Sequence, residues 1–147
     1  MKDLEAFEEK VKEILNNCIR EIEQLRYEVG CEEEITPQQV KERLDKIRPS
    51  LELLTSKWVP DIMYALLISG EMGFNELKNS LGISSRVLSD KLQELVRAGI
   101  VKREEKMTGS ARRVKYSLTP KGRKIVLSLT PFLFGIYLTD GDHESSQ

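Results

Sequence analysis

Metal-binding and redox chemistry has little to work with in this chain of 147 residues, which holds one histidine and two cysteines. His143 lies in a polar tail, and Cys18 and Cys31 form neither a spaced metal cluster nor a disulfide framework, so no metal and no cofactor are implied. Long apolar runs are missing too: hydrophobic residues are interspersed with charge, and none of the runs approaches a membrane span. The N-terminus alternates acid, base and apolar residues where a signal peptide would group them, so a cytoplasmic location without a membrane partner is expected. No nucleophile–base pair, glycine-rich phosphate loop or metal cluster argues for an enzyme. Asp61 and Glu76 read as helix-surface acids.

Charge is present in quantity but unevenly placed. The net charge is −1. Residues 1–55 carry nine Lys/Arg against fourteen Asp/Glu, a balance of −5, whereas residues 56–138 carry fourteen against seven, a balance of +7. The last nine residues hold three acids and no Lys or Arg. Within 84–124, twelve bases face four acids, the electrostatic footprint of a phosphate-binding surface.

Three parts follow from periodicity and punctuation. Residues 1–55 form a helical extension, expected to be a dimerisation arm. Leu4, Phe7, Val11, Ile14, Cys18 and Leu25 recur at steps of three and four, except where Glu21 interrupts, and Leu15, Ile22 and Val29 widen the stripe. Cys18 inside that stripe is expected to be a small buried hydrophobe rather than a reactive thiol. Gly30 ends the helix and an acidic linker runs from Cys31 through Glu34. Thr36-Pro37-Gln38-Gln39 is a helix start with the elements of a capping box. Val40, Leu44 and Ile47 line the next face until Pro49, which is expected to interrupt it before a short helical segment at Leu51–Leu54.

Residues 56–138 are expected to hold a second domain. A helix from Lys57 to about Ser69 would bury Trp58, Ile62, Ala65 and Leu66. Gly70 to Gly73 read as a connection. Phe74–Leu81 is a helix closed by Gly82, Ile83 plugs a tight turn, and Ser84 caps a helix running to Ala98 and stopped by Gly99. Ile100–Glu105 and Arg112–Leu118 read as strands, with Lys106 to Ala111 a polar loop. Thr119-Pro120 opens a last helix with Ile125, Val126 and Leu129 on one side; Pro131 breaks or restarts it before Phe132, Leu133, Ile136 and Tyr137. Residues 139–147 are expected to be a disordered acidic tail.

Helix, four-residue join, helix and basic ribbon describe a winged helix-turn-helix. The fold expected is mainly α with a small β wing (α+β): a three-helix core, a two-stranded antiparallel wing, an N-terminal helical extension and a C-terminal helix. In the second helix of the pair, Leu88, Leu92, Leu95 and Val96 share one face and Arg86, Asp90, Gln93 and Arg97 the other. Because the N-terminal end of such a helix points into the major groove, Ser85, Arg86 and Ser89 are the first expected base contacts, followed by Asp90 and Gln93. Lys91 and Arg97, the helix start at Ser84, and Asn75 and Lys78 on the preceding helix are expected on phosphate. Lys106, Arg112, Arg113 and Lys115 are expected to work from the wing, beside Lys102 and Arg103.

From Ser56 to about Ile136 the chain resembles the HxlR-type winged helix-turn-helix regulators. The resemblance rests on Lys57-Trp58, Phe74-Asn75-Glu76-Leu77, Gly82-Ile83-Ser84, Arg86-Val87-Leu88, Leu92, Glu94-Leu95, Gly99, Val114 through Thr119, and Gly122. It implies a homodimeric transcription factor on double-stranded DNA, with terminal helices building the dimer and two wings flanking a pseudo-palindromic operator. Leu4, Phe7, Val11, Leu15, Cys18, Ile22, Leu25, Phe132 and Ile136 are the expected dimer residues. The chain departs from the family in three places. No cysteine falls within 46–56, so the electrophile sensing of many members does not carry over. Gly73 stands where a base usually precedes the phenylalanine, and the extension of about fifty residues exceeds the family's usual length. A small-molecule effector stays open as a partner, but no residue set points to its pocket. The competing reading is a winged helix used for protein contact within a transcription or assembly complex; a MarR-like or ArsR-like regulator would change the effector more than the function.

Overall fold

The computed structural model describes residues 2–29 and 35–141, so the acidic linker with Cys31, and the tail beyond Gly141 with His143, lie outside the described residues. In chain order the elements are α1 (Lys2–Val29), α2 (Pro37–Thr55), α3 (Val59–Ser69), β1 (Glu71–Met72), α4 (Phe74–Leu81), α5 (Ser85–Arg97), β2 (Val101–Thr108), β3 (Ala111–Leu118) and α6 (Pro120–Gly141). The three strands form one antiparallel sheet in the order β1-β3-β2. The chain divides into two compact units, one of Lys46–Val126 and one of Met1–Asp45 with Leu127–Gln147. Among the described residues no helix is long and apolar enough to cross a membrane.

The unit of Lys46–Val126 is winged and closes on its own core. Val59, Ile62, Met63 and Leu66 of α3, Leu77 of α4, Ile83 of the turn, Leu88, Leu92 and Leu95 of α5, Ile100 and Val101 at the start of β2, and Val126 of α6 are all buried. Each such side chain stabilises the fold by roughly 1.5–3 kcal/mol through its removal from water. The expected helix-turn-helix is present with its punctuation. Gly82 takes the left-handed conformation (φ 64°) and gives its N–H to the Lys78 carbonyl, and the Ser84 hydroxyl accepts the Val87 N–H at 3.3 Å.

Caps elsewhere also match their residues. The Thr36 hydroxyl accepts the Gln39 N–H, and the Gln39 side chain accepts the Thr36 N–H at 2.9 Å, a reciprocal capping box. Thr119 accepts the Gly122 N–H at 3.0 Å and donates its own hydroxyl to the Gly99 carbonyl at 2.6 Å, stitching the start of α6 to the end of α5.

Several expectations are corrected. Pro49 does not interrupt: α2 runs through it, because the stripe continues through Leu51 to Leu54, and Leu53 and Leu54 pack on the core. Pro131 likewise sits inside α6. The third helix begins at Val59, not Lys57. Trp58 precedes it with φ 77°, the only non-glycine residue with positive φ among those described. That conformation costs about 1–2 kcal/mol; Trp58 is held there by packing on the core, with the Lys57 ammonium 5.2 Å above its ring. The Gly70–Gly73 connection contains β1, which pairs Glu71 with Ser117 and Met72 with Tyr116. The wing has no six-residue loop: pairing continues to Thr108↔Ala111, so the turn is Gly109-Ser110, with Gly109 at φ 65°. A two-residue hairpin needs positive φ, which glycine adopts without strain. Val96 is partly exposed rather than core.

The second unit is helical. Phe7 of α1 meets Phe134 of α6 edge to face, with ring centroids 5.6 Å apart, and Val11 is buried. Leu15 is half-buried beside Gly135, where a β-carbon would come within 3.2 Å of its Cδ2. Leu4, Ile22, Leu25, Phe132 and Ile136 are exposed in the single chain. Cys18 is exposed in the single chain as well.

Candidate nucleic-acid interface

The surface expected to read DNA is built outward from the α5 core contacts. With Leu88, Leu92 and Leu95 buried, the helix turns Arg86, Asp90, Gln93 and Arg97 to solvent, with Ser85 also exposed and Ser89 half-buried. Gln93 gives a hydrogen to the Ser89 hydroxyl and takes one from Arg97, both at 3.4 Å, so three residues of this face form a chain. At the helix start the Ser84 hydroxyl is committed to capping. Helix geometry leaves the amides of Ser85 and Arg86 without intrahelical acceptors, aimed where an anion would approach. Asn75 is exposed and Lys78 half-buried on α4.

Lys91 is not with them. Its ammonium lies 3.4 Å from the Ser56 hydroxyl and 3.7 Å from Glu94, on the flank of α5 away from Gln93 and Arg97, and its side chain is only 21% exposed. A phosphate contact from Lys91 would first have to break this tie between α5 and the α2–α3 joint.

Register separates the wing into two faces. Side chains alternate along each strand, so the cross-strand pairs Arg103↔Tyr116, Glu105↔Val114 and Met107↔Arg112 share one face. Lys102↔Ser117, Glu104↔Lys115 and Lys106↔Arg113 share the other. On that second face the lysines are compensated. Lys102 pairs with Glu104 at 2.9 Å, Lys106 with Glu71, and Lys115 with Glu76 at 3.1 Å. The Lys102 hydrogen bond holds the Glu104 carboxyl below its usual range, and the Glu71 hydrogen bond raises Lys106. Glu76 is held below the usual range first by the Gly73 amide, which it accepts at 2.6 Å, and then by Lys115. Arg113 adds a weaker attraction to Glu76.

The first face looks toward α5 and carries Arg103 and Arg112, with Glu105 between them. A cleft of 440 Å³ opens between the helix and the strands, lined by Ser89, Leu92, Gln93, Val96 and Arg97 on one side and Arg103 and Tyr116 on the other. Arg103 lies 3.6 Å from Glu105, and Arg86, Arg97 and Arg112 enter no salt bridge among the described residues. Two guanidiniums flanking an apolar floor and a phenol can hold a phosphodiester through short charge-assisted hydrogen bonds while the floor excludes water. Arg103 is among the wing bases expected on the DNA backbone and minor groove, whereas Tyr116 is not nominated by the sequence. Strand alternation would have found Tyr116 as the cross-strand partner of Arg103, had the turn been set at Gly109-Ser110.

Comparison with known proteins supplies the family. The HxlR-like helix-turn-helix family matches residues 53–133. The HTH-type transcriptional regulator YvaP of Bacillus subtilis is 35% identical over 85 residues, 57% of this chain and 77% of that protein. An HTH-type transcriptional regulator of Methanocaldococcus jannaschii is 37% identical over 75 residues, 50% of this chain and 69% of that protein. Among solved structures, one described as a MarR-family transcriptional regulator of Enterococcus faecalis superposes with a TM-score of 0.58 at 28% identity, covering 79% of this chain and 99% of that one. The transcriptional regulator ytfH of Salmonella typhimurium gives 0.55 at 28% identity, covering 67% of this chain and 87% of the other. These relatives are regulators, not enzymes. With more than half of its length inside the family match, and a helix-turn-helix followed by a wing built as described, the chain belongs to the HxlR-like helix-turn-helix family of transcriptional regulators.

Proposed function

We propose that the chain binds double-stranded DNA sequence-specifically as a homodimer, with α5 in the major groove and the wing beside it, on a pseudo-palindromic operator. The single observation that carries this reading is the placement of Arg86, Arg97, Arg103 and Arg112 around α5 and the adjoining wing face. Ser85, Arg86 and Ser89 meet base edges first, and Arg86 grips a guanine edge with two hydrogen bonds, a contact worth about 1–3 kcal/mol of discrimination. The phosphodiester strand between major and minor grooves lies in the cleft, held by Arg97, Arg103 and the Tyr116 hydroxyl. Arg112 reaches the flanking backbone from the wing. Asn75 and Lys78 clamp the strand on the other side of α5.

One winged unit meets one half-site, so a pseudo-palindrome requires two copies, with recognition helices about 34 Å apart. The exposed stripe of α1, with Phe132 and Ile136 of α6, is the surface offered for that pairing. A dimer seated on a promoter obstructs polymerase, and repression is the expected sense of regulation.

The test is selection from fragmented genomic DNA across a salt series, with bound fragments sequenced. Recovery of an inverted repeat with half-sites one turn apart is expected, with affinity falling steeply as salt rises. Retention without an enriched motif would replace operator recognition by an architectural role. Failure to bind even at low salt would overturn the reading and turn attention to a protein partner of the acidic extension.

A further inference from the structure

Two apolar stripes stand exposed in the single chain, and neither is explained by the winged unit. On α1, Ile14, Ile19, Ile22 and Leu25 are each exposed, while Phe7 and Leu15 lie beside Phe134 and Gly135 of α6. On α2, Val40, Leu44, Ile47 and Leu51 are each exposed. The α2 residues recur at steps of four, three and four, the spacing of a coiled-coil seam. The segments from Ile14 to Leu25 and from Val40 to Leu51 are the same length, about 16 Å at the helical rise. Exposed apolar surface of this extent marks an interface.

Charge distinguishes the arrangements. The distal part of α1, residues 14–29, holds two Lys/Arg against three Asp/Glu, a balance of −1, whereas α2 holds four against three, a balance of +1. At about 100° per residue, Glu21 and Glu28 fall along one edge of the α1 stripe and Arg26 along the other, while Arg43 and Arg48 border the α2 stripe. Packing α1 on a second α1 would set acid against acid and leave α2 uncovered. Packing α1 on α2 sets the Glu21 and Glu28 edge beside an arginine of α2, and two-fold symmetry repeats the contact, so that both stripes of both copies are buried.

We infer that the distal half of α1 docks on the α2 stripe of a second copy of this chain, twice per dimer. This deepens the homodimer reading above and rests on it. The N-terminal half of α1 stays on α6 of its own chain, so the extension works as an arm that reaches across. α1 and most of α2 lie outside the span that matches the family.

Cys18, exposed in the middle of the α1 stripe, supplies the reporter. In full-length protein carrying Cys31→Ser, the exposed residues Leu44 and Ile47 are replaced by cysteine one at a time, and the proteins are oxidised gently with copper. Mass in solution and DNA affinity are measured in parallel before oxidation. One of the two variants is expected to form a covalent dimer that disappears when Cys18→Ser is added. A disulfide closed within one chain would overturn the inference in favour of an arm folded on itself. Dimers through Cys18 alone in the Cys31→Ser parent would mean α1 packs on α1, and dimers that survive Cys18→Ser would mean α2 packs on α2. A non-covalent dimer that binds DNA yet forms no bridge in either variant overturns the clasp and spares the homodimer. A monomer overturns both.

Discussion

Between Lys46 and Val126 the chain buries twelve apolar side chains to 3% exposure or less, whereas among the described residues of the helical unit only Val11 falls below a tenth. Ile22 at 61% and Leu4 at 60% are as open as many charged residues. Composition does not explain the difference, since α1 is rich in isoleucine and leucine. The winged unit packs three helices and a sheet around one another and has somewhere to put its apolar stripes. Among the described residues, α1 meets part of α6 and leaves much of its apolar stripe exposed. Each unit therefore leaves one surface incomplete: the helical unit an apolar one that another protein surface would finish, the winged unit a basic one that an anion would finish.

Breaking the comparison begins with the core. Leu88→Ala, wholly buried in α5, is expected to cost about 2–5 kcal/mol through lost transfer energy and the cavity left behind. The melting temperature should fall by a similar amount at every protein concentration. The arm behaves oppositely. Leu15→Asp with Ile22→Asp should yield monomers whose winged unit keeps the melting transition of dilute wild-type protein, while operator affinity drops sharply. Sedimentation and calorimetry over a range of concentrations check both. An arm variant that lowers the winged unit's own transition would show that the units depend on each other and end the contrast.

Gly122 tests how tightly the winged unit is closed. A β-carbon there would lie 2.1 Å from the Ile100 carbonyl oxygen, which is backbone and has nowhere to go. Gly122→Ala is expected to destabilise by about 1–3 kcal/mol, as overpacking does, and to loosen the Thr119 stitch between α5 and α6. Denaturant unfolding measures it; a neutral result would mean that α6 can lift from β2 without cost.

The two faces of the wing sharpen the comparison at its basic surface. Arg97→Ala with Arg103→Ala should reduce DNA affinity about tenfold or more, as loss of charge-assisted hydrogen bonds does, and flatten the salt dependence. Lys102→Ala with Lys106→Ala removes the same formal charge from the compensated face and should change affinity by about twofold at most, since surface pairs contribute little. Equal losses from the two doubles would show that DNA senses only total charge.

Much of this was legible in the residues. Thr36 with Gln39, Ser84 and Thr119 each announce a helix start through a side chain that can take a backbone hydrogen, and Gly82 and Gly99 announce the ends. The buried leucines of α5 follow from period alone. What escaped was decided by tertiary context. β1 is two residues long and exists because β3 offers an open edge; no two-residue pattern can signal that. Pro49 reads as a break locally, but losing one helical hydrogen bond is outweighed when Leu53 and Leu54 anchor the next turn in the core. Trp58 in the left-handed region has no local signature at all. Lys91 and Arg97 look alike in a helical wheel until Ser56, thirty-five residues away in sequence, claims one of them.

The smallest effect separates two contributions at the start of α4. The Glu76 carboxyl is held below its usual range by the Gly73 amide first and by Lys115 second. A depressed folded-state value means that the stability it contributes is fully present above the ordinary carboxylate range and is lost as pH falls through the lowered value. Glu76→Gln keeps an oxygen able to accept the Gly73 N–H but removes the charge. The wild type should therefore melt slightly above the variant near neutral pH, and the two should converge in acid. Salt ought to shrink only part of the gap: the Lys115 attraction is screened, whereas a hydrogen bond to an adjacent amide is not. A gap that vanishes fully in high salt would assign the whole effect to the β3–α4 ion pair. A gap that ignores pH would remove Glu76's charge from the account and leave the helix start to geometry alone.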